Sequence, residues 1–154
     1  CWRYRCDLCC IPSIFQRITM KEIGVVIPVC KNRILIMRRT TKKKPQKWDF
    51  PGGIIEKGET PRIGALRELA EEAGLKPKPQ DLKHIKTYGE EGKKKVHLYR
   101  VDLRSPSVRC RDGEHDRYAW VFLDQLGYYP LTKGAQHCIF ECGGFEDLME
   151  KKNG

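Results

Sequence analysis

The chain has 154 residues, is 40% hydrophobic and 32% charged, and carries a formal net charge of +10 at pH 7. This length suits one domain with a hydrophobic core, and this composition excludes an intrinsically disordered chain. No apolar run reaches the roughly 20 residues of a membrane-spanning helix, so we expect a cytoplasmic protein without membrane contact.

Residues 1–19 differ from the rest of the sequence. They contain scattered arginines and cysteines without a clear strand or helix pattern, whereas Met20 opens a well-patterned strand. We therefore expect residues 1–19 to be an N-terminal extension, disordered or non-native, and residues 20–151 to form the folded domain.

The cysteines raise the question of a zinc site. Cys6 and Cys9 have half of a zinc-ribbon spacing, but Cys138 and Cys142, the candidates for the second half, are distant and irregularly spaced. Because no secretory signal is visible, reduced thiols are expected rather than disulfides. Zinc binding is not expected.

Two strands open the predicted domain. Residues 22–29 and 33–39 are rich in β-branched and large apolar side chains, and the short polar segment between them predicts a hairpin. Residues 41–47 form a basic loop. The segment WDFPGG at 48–53 is predicted to be a turn, because proline and paired glycines interrupt regular structure.

A helix is predicted next. Thr60 can cap its first turn, Pro61 suits the first helical position, and Gly74 suits the position after the last. Its apolar side is expected to pack on the sheet. The residues on that side are Ile63, Leu66, Leu69, Ala70 and Ala73.

The remaining elements are mostly strands. Residues 81–89 and 94–103 are predicted to be two strands joined by a charged turn, and residues 118–124 another. Residues 133–151 have helical character that two consecutive glycines interrupt. Many strands around one long central helix predict an α+β domain.

Three glutamates crowd the predicted helix opposite its apolar side. Glu68, Glu71 and Glu72 lie within about a quarter-turn of one another, where like charges repel. A divalent cation such as Mg²⁺ would turn this repulsion into binding, because it prefers carboxylate oxygens together with substrate phosphates. A solvated acidic face is the alternative, and helix geometry alone does not separate the two.

The residues around these glutamates complete a longer pattern. Its spacing is G-x5-E-x7-R-E-U-x-E-E-x-G-U, where U is a bulky aliphatic residue, filled by Gly53, Glu59, Arg67, Glu68, Leu69, Glu71, Glu72, Gly74 and Leu75. This pattern resembles the Nudix box at every fixed position. The segments ILIMRR, WDFPGG and YAWVFLDQL resemble elements that flank the box in small MutT-like members, so the resemblance covers residues 20 to about 132.

The resemblance implies a fold and a metal site. Nudix proteins are α/β/α sandwiches around a mixed sheet, and the box forms a loop-helix-loop. By motif position, Glu68, Glu71 and Glu72 resemble the metal ligands, and the backbone carbonyl of Gly52 joins them. The implied cofactor is Mg²⁺, with Mn²⁺ as an alternative.

The resemblance also implies structural roles within the box. Glu59 and Arg67 resemble the internal pair that holds the loop against the helix. Gly53 and Gly74 resemble turn positions at which a side chain would obstruct the backbone.

One of two adjacent arginines is expected to bind phosphate. Arg39 resembles the phosphate-contacting residue of MutT-like enzymes, but Arg38 is the alternative, because alternation along a strand points only one of them inward.

The catalytic residues implied by the resemblance are Glu68, Glu71, Glu72 and a loop glutamate. Glu68 is the first candidate for the base that takes a proton from water. Glu114 is the second, with Glu90 and Glu91 as alternatives. His115 would either orient a leaving group or be a solvated loop histidine. The aromatic residues that could stack on a base are Trp48, Phe50, Trp120, Tyr128 and Tyr129.

The resemblance implies a Mg²⁺-dependent hydrolase of a nucleoside diphosphate linked to another moiety. The leading expectation is cleavage of a nucleoside triphosphate, damaged ones included, to the monophosphate and pyrophosphate. The basic runs at 38–47, 83–86 and 93–95 leave the 5′ end of RNA as an alternative substrate. Hydrolysis of a dinucleotide and a non-catalytic nucleotide- or RNA-binding module are further alternatives.

Overall fold

The computed structural model describes residues 20–40, 46–90, 92–110 and 113–143. In these segments the elements are β1 (Lys21–Cys30), β2 (Arg33–Arg39), β3 (Trp48–Asp49), β4 (Gly52–Ile54), α1 (Pro61–Ala73), a short 3-10 helix (Pro79–Asp81), β5 (Leu82–Glu90), β6 (Lys94–Asp102), β7 (His115–Phe122), a second 3-10 helix (Leu123–Tyr128) and α2 (Lys133–Glu141). Neither α-helix in this part of the chain has the length and apolar character needed to cross a membrane.

The strands form one mixed sheet. Its order is β3-β2-β1-β6-β5, with β4 paired to the first half of β1 and β7 paired along β2. The β1–β6 pair is parallel, and the other strand pairs are antiparallel. The expected hairpin joins β1 to β2 through Lys31 and Asn32, whose φ angles of 49° and 62° suit the tight two-residue turn of a twisted hairpin.

One helix packs on each face of the sheet, which confirms the expected sandwich. Along β1, the fully buried Val26 faces the core cluster that contains α1, and the fully buried Ile27 faces the cluster that contains α2. This alternation follows from the two-residue period of a strand. Each such side chain contributes about 1.5–3 kcal/mol by its burial.

The segment WDFPGG is not simply a turn, as the sequence predicted, because it contains the short strands β3 and β4. Gly52 and Gly53 pair with Val25 and Gly24, and the amide of Val26 donates to the Pro51 carbonyl over 2.9 Å. A Cβ atom at Gly52 would lie 2.5 Å from the carbonyl oxygen of Gly24. Glycine therefore permits a pairing that any side chain would block.

Helix α1 has the predicted ends, and Leu69 and Ala73 are fully buried as predicted, but its buried side is rotated away from Ile63. The Thr60 hydroxyl accepts from the amide of Ile63, and Gly74 adopts a left-handed φ of 69°. Ile63 is 45% exposed, whereas Ala65 is fully buried and would lie 2.9 Å from a Cβ atom at Gly24. The helix approaches β1 through these small residues, which rotates the contact away from Ile63.

Two other strands differ from the sequence prediction. Strand β7 begins at His115, three residues before the predicted strand, because it pairs with β2 as far as Arg39. Strand β5 contains an irregularity between His84 and Lys86, where Ile85 has no partner in β6. This bulge places Lys86 and Tyr88 on the α2 side of the sheet.

Several sequence predictions lie outside the described residues. These are the N-terminal extension with Cys6 and Cys9, the basic residues 41–45, Glu91, and the tail from residue 144 onward.

Candidate active site

The guanidinium of Arg67 joins the loop before α1 to the helix itself. It donates to both carboxylate oxygens of Glu59, over 2.7 and 3.2 Å, and to the carbonyl of Ile54 over 3.0 Å. The hydrogen bond from Arg67 holds the pKa of Glu59 below its ordinary value, and the amide of Glu56 adds to the effect. The planar fork of arginine suits such a paired contact, which is the pair implied by the sequence.

Glu68 lies against the backbone of Gly53. A Cβ atom at Gly53 would stand 2.5–2.7 Å from the two carboxylate oxygens of Glu68, so only glycine leaves the space that this side chain occupies. Burial raises the pKa of Glu68, and the negative charges of Glu71 and Glu114 add to this effect against the opposing effect of Arg67. Glu68 is therefore a partly buried carboxylate whose ionised form is disfavoured mainly by its loss of solvent.

Glu72 is buried, although the sequence placed it on the outward acidic side of the helix. It is only 6% exposed, and its carboxylate accepts a hydrogen bond from the amide of Gly52 over 2.9 Å. The rotation of α1 that exposes Ile63 also turns Glu72 toward β4. The Glu72 carboxylate is thereby held at the backbone of Gly52, whose carbonyl is the fourth predicted metal ligand.

Glu71 completes the acidic group but is more exposed than the other two. One nitrogen of Arg67, Nη1, donates to Glu68 over 3.0 Å and to Glu71 over 3.2 Å, and the Glu71 side chain is 55% exposed. Within the described ranges, no group of three histidine, cysteine or acidic side chains is arranged to hold a metal ion. Binding an ion would therefore require Glu71 to turn away from Arg67.

The donors nevertheless fit a hard divalent cation. All of them are oxygen atoms, two carboxylates already converge on one cationic nitrogen, and the space beside Glu68 exists only because residue 53 is glycine. Mg²⁺ and related ions prefer such oxygen ligands. A cation beside Glu68 would favour its ionised form, which burial disfavours.

A cleft of about 920 Å³ adjoins this acidic group. Gly52 and Gly53 form part of its wall, together with residues of β1, β5, β6 and α2. The three glutamates do not line the cleft themselves. Glu68 and Glu72 contact the Gly52–Gly53 backbone from the α1 side, so this glycine pair separates the carboxylates from the cleft and borders both.

The two adjacent arginines of β2 have different surroundings. Arg39 lines the cleft and pairs with Asp49 over 3.3 Å, whereas Arg38 pairs with Asp116 of β7 and is absent from the cleft lining. Among the residues described, the Nε atom of Arg39 is buried without a hydrogen-bond partner. The structure thus directs Arg39, and not Arg38, toward the cleft.

The loop that carries Glu114 is hydrogen-bonded to Thr40, the residue that follows Arg39. The carbonyl of Glu114 accepts from the amide and the hydroxyl of Thr40, over 2.9 and 3.0 Å. Its charge acts on Glu68. His115 is not a solvated loop histidine, because it is the first residue of β7 and only 6% exposed.

Most of the aromatic residues named from the sequence do not reach the cleft. Phe50 lines it, but Trp48 packs edge-on against Tyr129 at 5.2 Å, and Trp120 donates to the carbonyl of Pro106. Tyr128 is 86% exposed and does not line the cleft either.

Sequence reasoning missed the cleft wall formed by β5 and α2. Tyr88, His137 and Glu141 line it, and the rings of Tyr88 and His137 lie 4.8 Å apart. The sequence predicted the strand at 81–89 and helical character after Lys133, but not that these two elements meet at a cleft. The contact between the two elements depends on the β5 bulge, which no local pattern predicts.

Three of the four cysteines in the described segments are buried, and the fourth, Cys110, is half-buried. Cys138 and Cys142 are almost fully buried, and burial raises the pKa of Cys138 to about 11. A high pKa opposes the thiolate form that zinc needs.

Comparison with known proteins gives consistent matches. A sequence model described as the NUDIX domain matches residues 20–141. The 8-oxo-dGTP diphosphatase of Buchnera aphidicola subsp. Schizaphis graminum is 33% identical over 121 residues, which cover 77% of this chain and 88% of that protein. The RNA pyrophosphohydrolase of Psychrobacter cryohalolentis is 30% identical over 131 residues, which cover 71% and 72% of the two chains.

A solved structure shares the fold. The NUDIX domain of Shewanella oneidensis NrtR, complexed with ADP ribose, has a TM-score of 0.73 with this chain at 15% identity. The match covers 96% of this chain and 100% of that one. At this identity the similarity supports the architecture described above and nothing about ligands.

Proposed function

The chain belongs to the Nudix family and is a pyrophosphohydrolase of nucleoside diphosphate-linked substrates, and from this premise we propose that it converts a nucleoside triphosphate to the monophosphate and pyrophosphate with Mg²⁺ as cofactor. An oxidised nucleotide such as 8-oxo-dGTP is the first substrate to consider, because one relative is named an 8-oxo-dGTP diphosphatase. Mn²⁺ would be an alternative ion.

One observation carries this proposal: two glutamates are held directly against the glycine backbone that forms the cleft wall. Glu72 contacts the amide of Gly52, and Glu68 fills the space beside Gly53. We propose that Glu68, Glu71, Glu72 and the Gly52 carbonyl hold the cation. Such a cation would neutralise phosphate charge and make water more acidic.

The remaining roles follow from the surroundings of each side chain. Glu68 is the proposed base that takes a proton from the attacking water. Glu114 is the alternative base, because its negative charge acts on Glu68. The buried Nε of Arg39, which lacks a partner within the described segments, is available for a phosphate oxygen. Glu59 and Arg67 keep the loop and helix in register.

A panel of nucleotides tests the proposal. With Mg²⁺, we expect release of pyrophosphate and a nucleoside monophosphate from at least one canonical or oxidised triphosphate. Excess EDTA should abolish turnover, and added Mg²⁺ or Mn²⁺ should restore it, because phosphate charge must be neutralised. Binding of nucleotides without any turnover across the panel would instead indicate a non-catalytic module.

The arginine pair provides a second prediction. Arg39→Gln should raise KM by about tenfold to a hundredfold, because it removes charge-assisted hydrogen bonds to phosphate. Arg38→Gln is the matched control, since it breaks only the pair with Asp116 at the protein surface, and its KM should stay near the wild-type value. Steady-state kinetics on the best substrate decide between them. A larger effect of Arg38→Gln would contradict the assignment.

The 5′ end of RNA is a second candidate substrate. Lys94 and Lys133 line the cleft, and within the described segments neither has an ion-pair partner. Such cations favour a polyanion, and one relative is named an RNA pyrophosphohydrolase. Affinity for long RNA that falls steeply with added salt would support this candidate.

A cytoplasmic location belongs to the same proposal. The cysteines of the described ranges are free thiols, which fits a reducing compartment.

A further inference from the structure

Arg38 and Arg39 each pair with one aspartate, but the two pairs use different edges of the guanidinium. Arg38 donates to Asp116 through Nε, over 2.8 Å, and through Nη2, so the fork formed by these two nitrogens is occupied. Arg39 donates to Asp49 through Nη1 alone, over 3.3 Å. Within the described residues, its Nε is buried without a partner and its Nη2 makes no hydrogen bond. The edge that suits a phosphate is therefore filled in Arg38 and open in Arg39.

The carboxylate of Asp49 is fixed by the backbone around it. One oxygen, Oδ1, accepts from the amide of Phe50 over 2.8 Å, which leaves Oδ2 for the guanidinium. Strand β3, which carries Asp49, is held on both sides. One side pairs with β2, and on the other the backbone of Trp48 forms two hydrogen bonds of 2.9 Å with residues 130–132. Asp49 is therefore a fixed point against which a longer side chain can be aligned.

The side chain of Arg39 depends on this fixed point for its direction. Its backbone is held, because its amide donates to the carbonyl of Lys47 over 2.8 Å, but this contact does not orient the guanidinium. In the part of the chain described, Asp49 is the only hydrogen-bond partner of the Arg39 side chain, and both residues line the cleft. A flexible arginine that is ordered before it meets its ligand loses less entropy on binding.

We propose that Asp49 is a positioning residue, which holds Nη1 of Arg39 so that Nε and Nη2 face the phosphate chain of the substrate. Asp49 acts through Arg39 and makes no contact with phosphate itself. This inference rests on the proposed function, in which Arg39 binds phosphate, and it adds the group that sets the direction of that contact. Its loss should weaken substrate binding and leave the chemical step unchanged.

The charge of Asp49 and its positioning role predict opposite effects of Asp49→Asn. A carboxylate in the cleft repels phosphate, so if Asp49 acted only through its charge, this substitution would tighten substrate binding. Asparagine has the same shape, and its single oxygen would stay with the amide of Phe50, which is the closer donor. Its NH₂ group would then face Nη1 of Arg39, and two donors cannot form a hydrogen bond. The positioning role therefore predicts weaker binding.

The test measures Asp49→Asn in the full chain with Mg²⁺. We expect KM for the best triphosphate to rise by about threefold to tenfold, the usual range for one hydrogen bond, while kcat stays near the wild-type value. The dissociation constant of a non-hydrolysable ligand should rise by the same factor. This ligand is the α,β-methylene analogue of the best triphosphate, or of dGTP if none is hydrolysed. Asp116→Asn is the matched control, because it breaks the pair of Arg38 and should change neither constant.

Two further variants separate positioning from support of the fold. If Asp49 acts through Arg39, then adding Asp49→Asn to Arg39→Gln should raise KM no further, since the group that it orients is already gone. Arg39→Lys leaves Asp49 intact and keeps the positive charge, but lysine has no fork of two nitrogens. Its KM should therefore rise by about tenfold.

Three results would overturn the inference: a KM that Asp49→Asn lowers or leaves unchanged, a rise of KM that persists in the Arg39→Gln background, or wild-type affinity of Arg39→Lys. If nucleotides are hydrolysed and one of these results is found, the inference fails and the proposed function stands. If no nucleotide is hydrolysed, the proposed function fails, and the dissociation constants of α,β-methylene dGTP decide the inference by the same comparison. Failure of the wild-type protein to bind that ligand would then remove the phosphate contact and the inference with it.

Discussion

Glu68→Gln is expected to lower kcat/KM for the best nucleotide by about 10²–10⁴-fold, the usual contribution of a positioned general base. The midpoint of thermal unfolding should stay near the wild-type value. Glutamine has the same shape, so it fits the space beside Gly53, and its amide oxygen can still accept from Arg67. The substitution therefore removes the charge and the basic oxygen while leaving the packing intact.

Glu56→Gln is the matched control for this experiment. Glu56 is an exposed acid of the same loop-helix-loop, but it fills none of the fixed positions of the motif. The kcat/KM of this variant should therefore equal that of the wild type. Wild-type activity of Glu68→Gln would remove Glu68 from the mechanism. If Glu114→Gln were then the inactive variant, the base would lie on the loop beside Thr40.

Local signals predicted the elements that frame the site. Thr60, the proline after it and Gly74 are local signals for the two ends of α1. The structure has the helix at Pro61–Ala73, as these signals predict. The β1–β2 hairpin likewise depends on neighbouring residues. Such features need no information about the rest of the chain, because capping and tight turns are contacts between residues close in sequence.

The orientation of α1 could not be predicted in the same way. Hydrophobic periodicity placed Ile63 in the core and Glu72 outside, but the structure has the reverse. Ala65 packs at the gap left by Gly24, and the cost of burying a carboxylate is offset by the amide of Gly52. Both partners lie on strands remote in sequence, so the rotation of the helix is a property of the packed fold.

Alternation along β2 limited the proposed phosphate-binding role to one of two arginines but could not choose between them. The choice depends on what lies on each side of the strand: Asp116 on β7 holds Arg38, and Asp49 at the cleft pairs with Arg39. The contact between Tyr88 and His137 could not be predicted for a similar reason. Tyr88 and His137 meet because a bulge shifts β5 and because α2 packs beside it.

Gly53→Ala is expected to separate catalytic geometry from stability. The added methyl group would lie 2.5–2.7 Å from the carboxylate oxygens of Glu68, so the two cannot occupy their present positions together. The end of a flexible side chain moves more easily than backbone, and we therefore expect the protein to fold with a displaced Glu68. A displacement of about 1 Å can cost on the order of a hundredfold in rate, and kcat/KM should fall by about that factor.

Gly127→Ala is the control for Gly53→Ala, because nothing lies within 4 Å of a Cβ atom there and activity should be retained. The two variants should unfold at similar temperatures in a thermal melt, while steady-state kinetics separate them. A large loss of stability in Gly53→Ala would mean that this glycine supports the fold rather than the carboxylate. Full activity would mean that the position of Glu68 is not critical, and the role proposed for this carboxylate at the glycine wall would have to be abandoned.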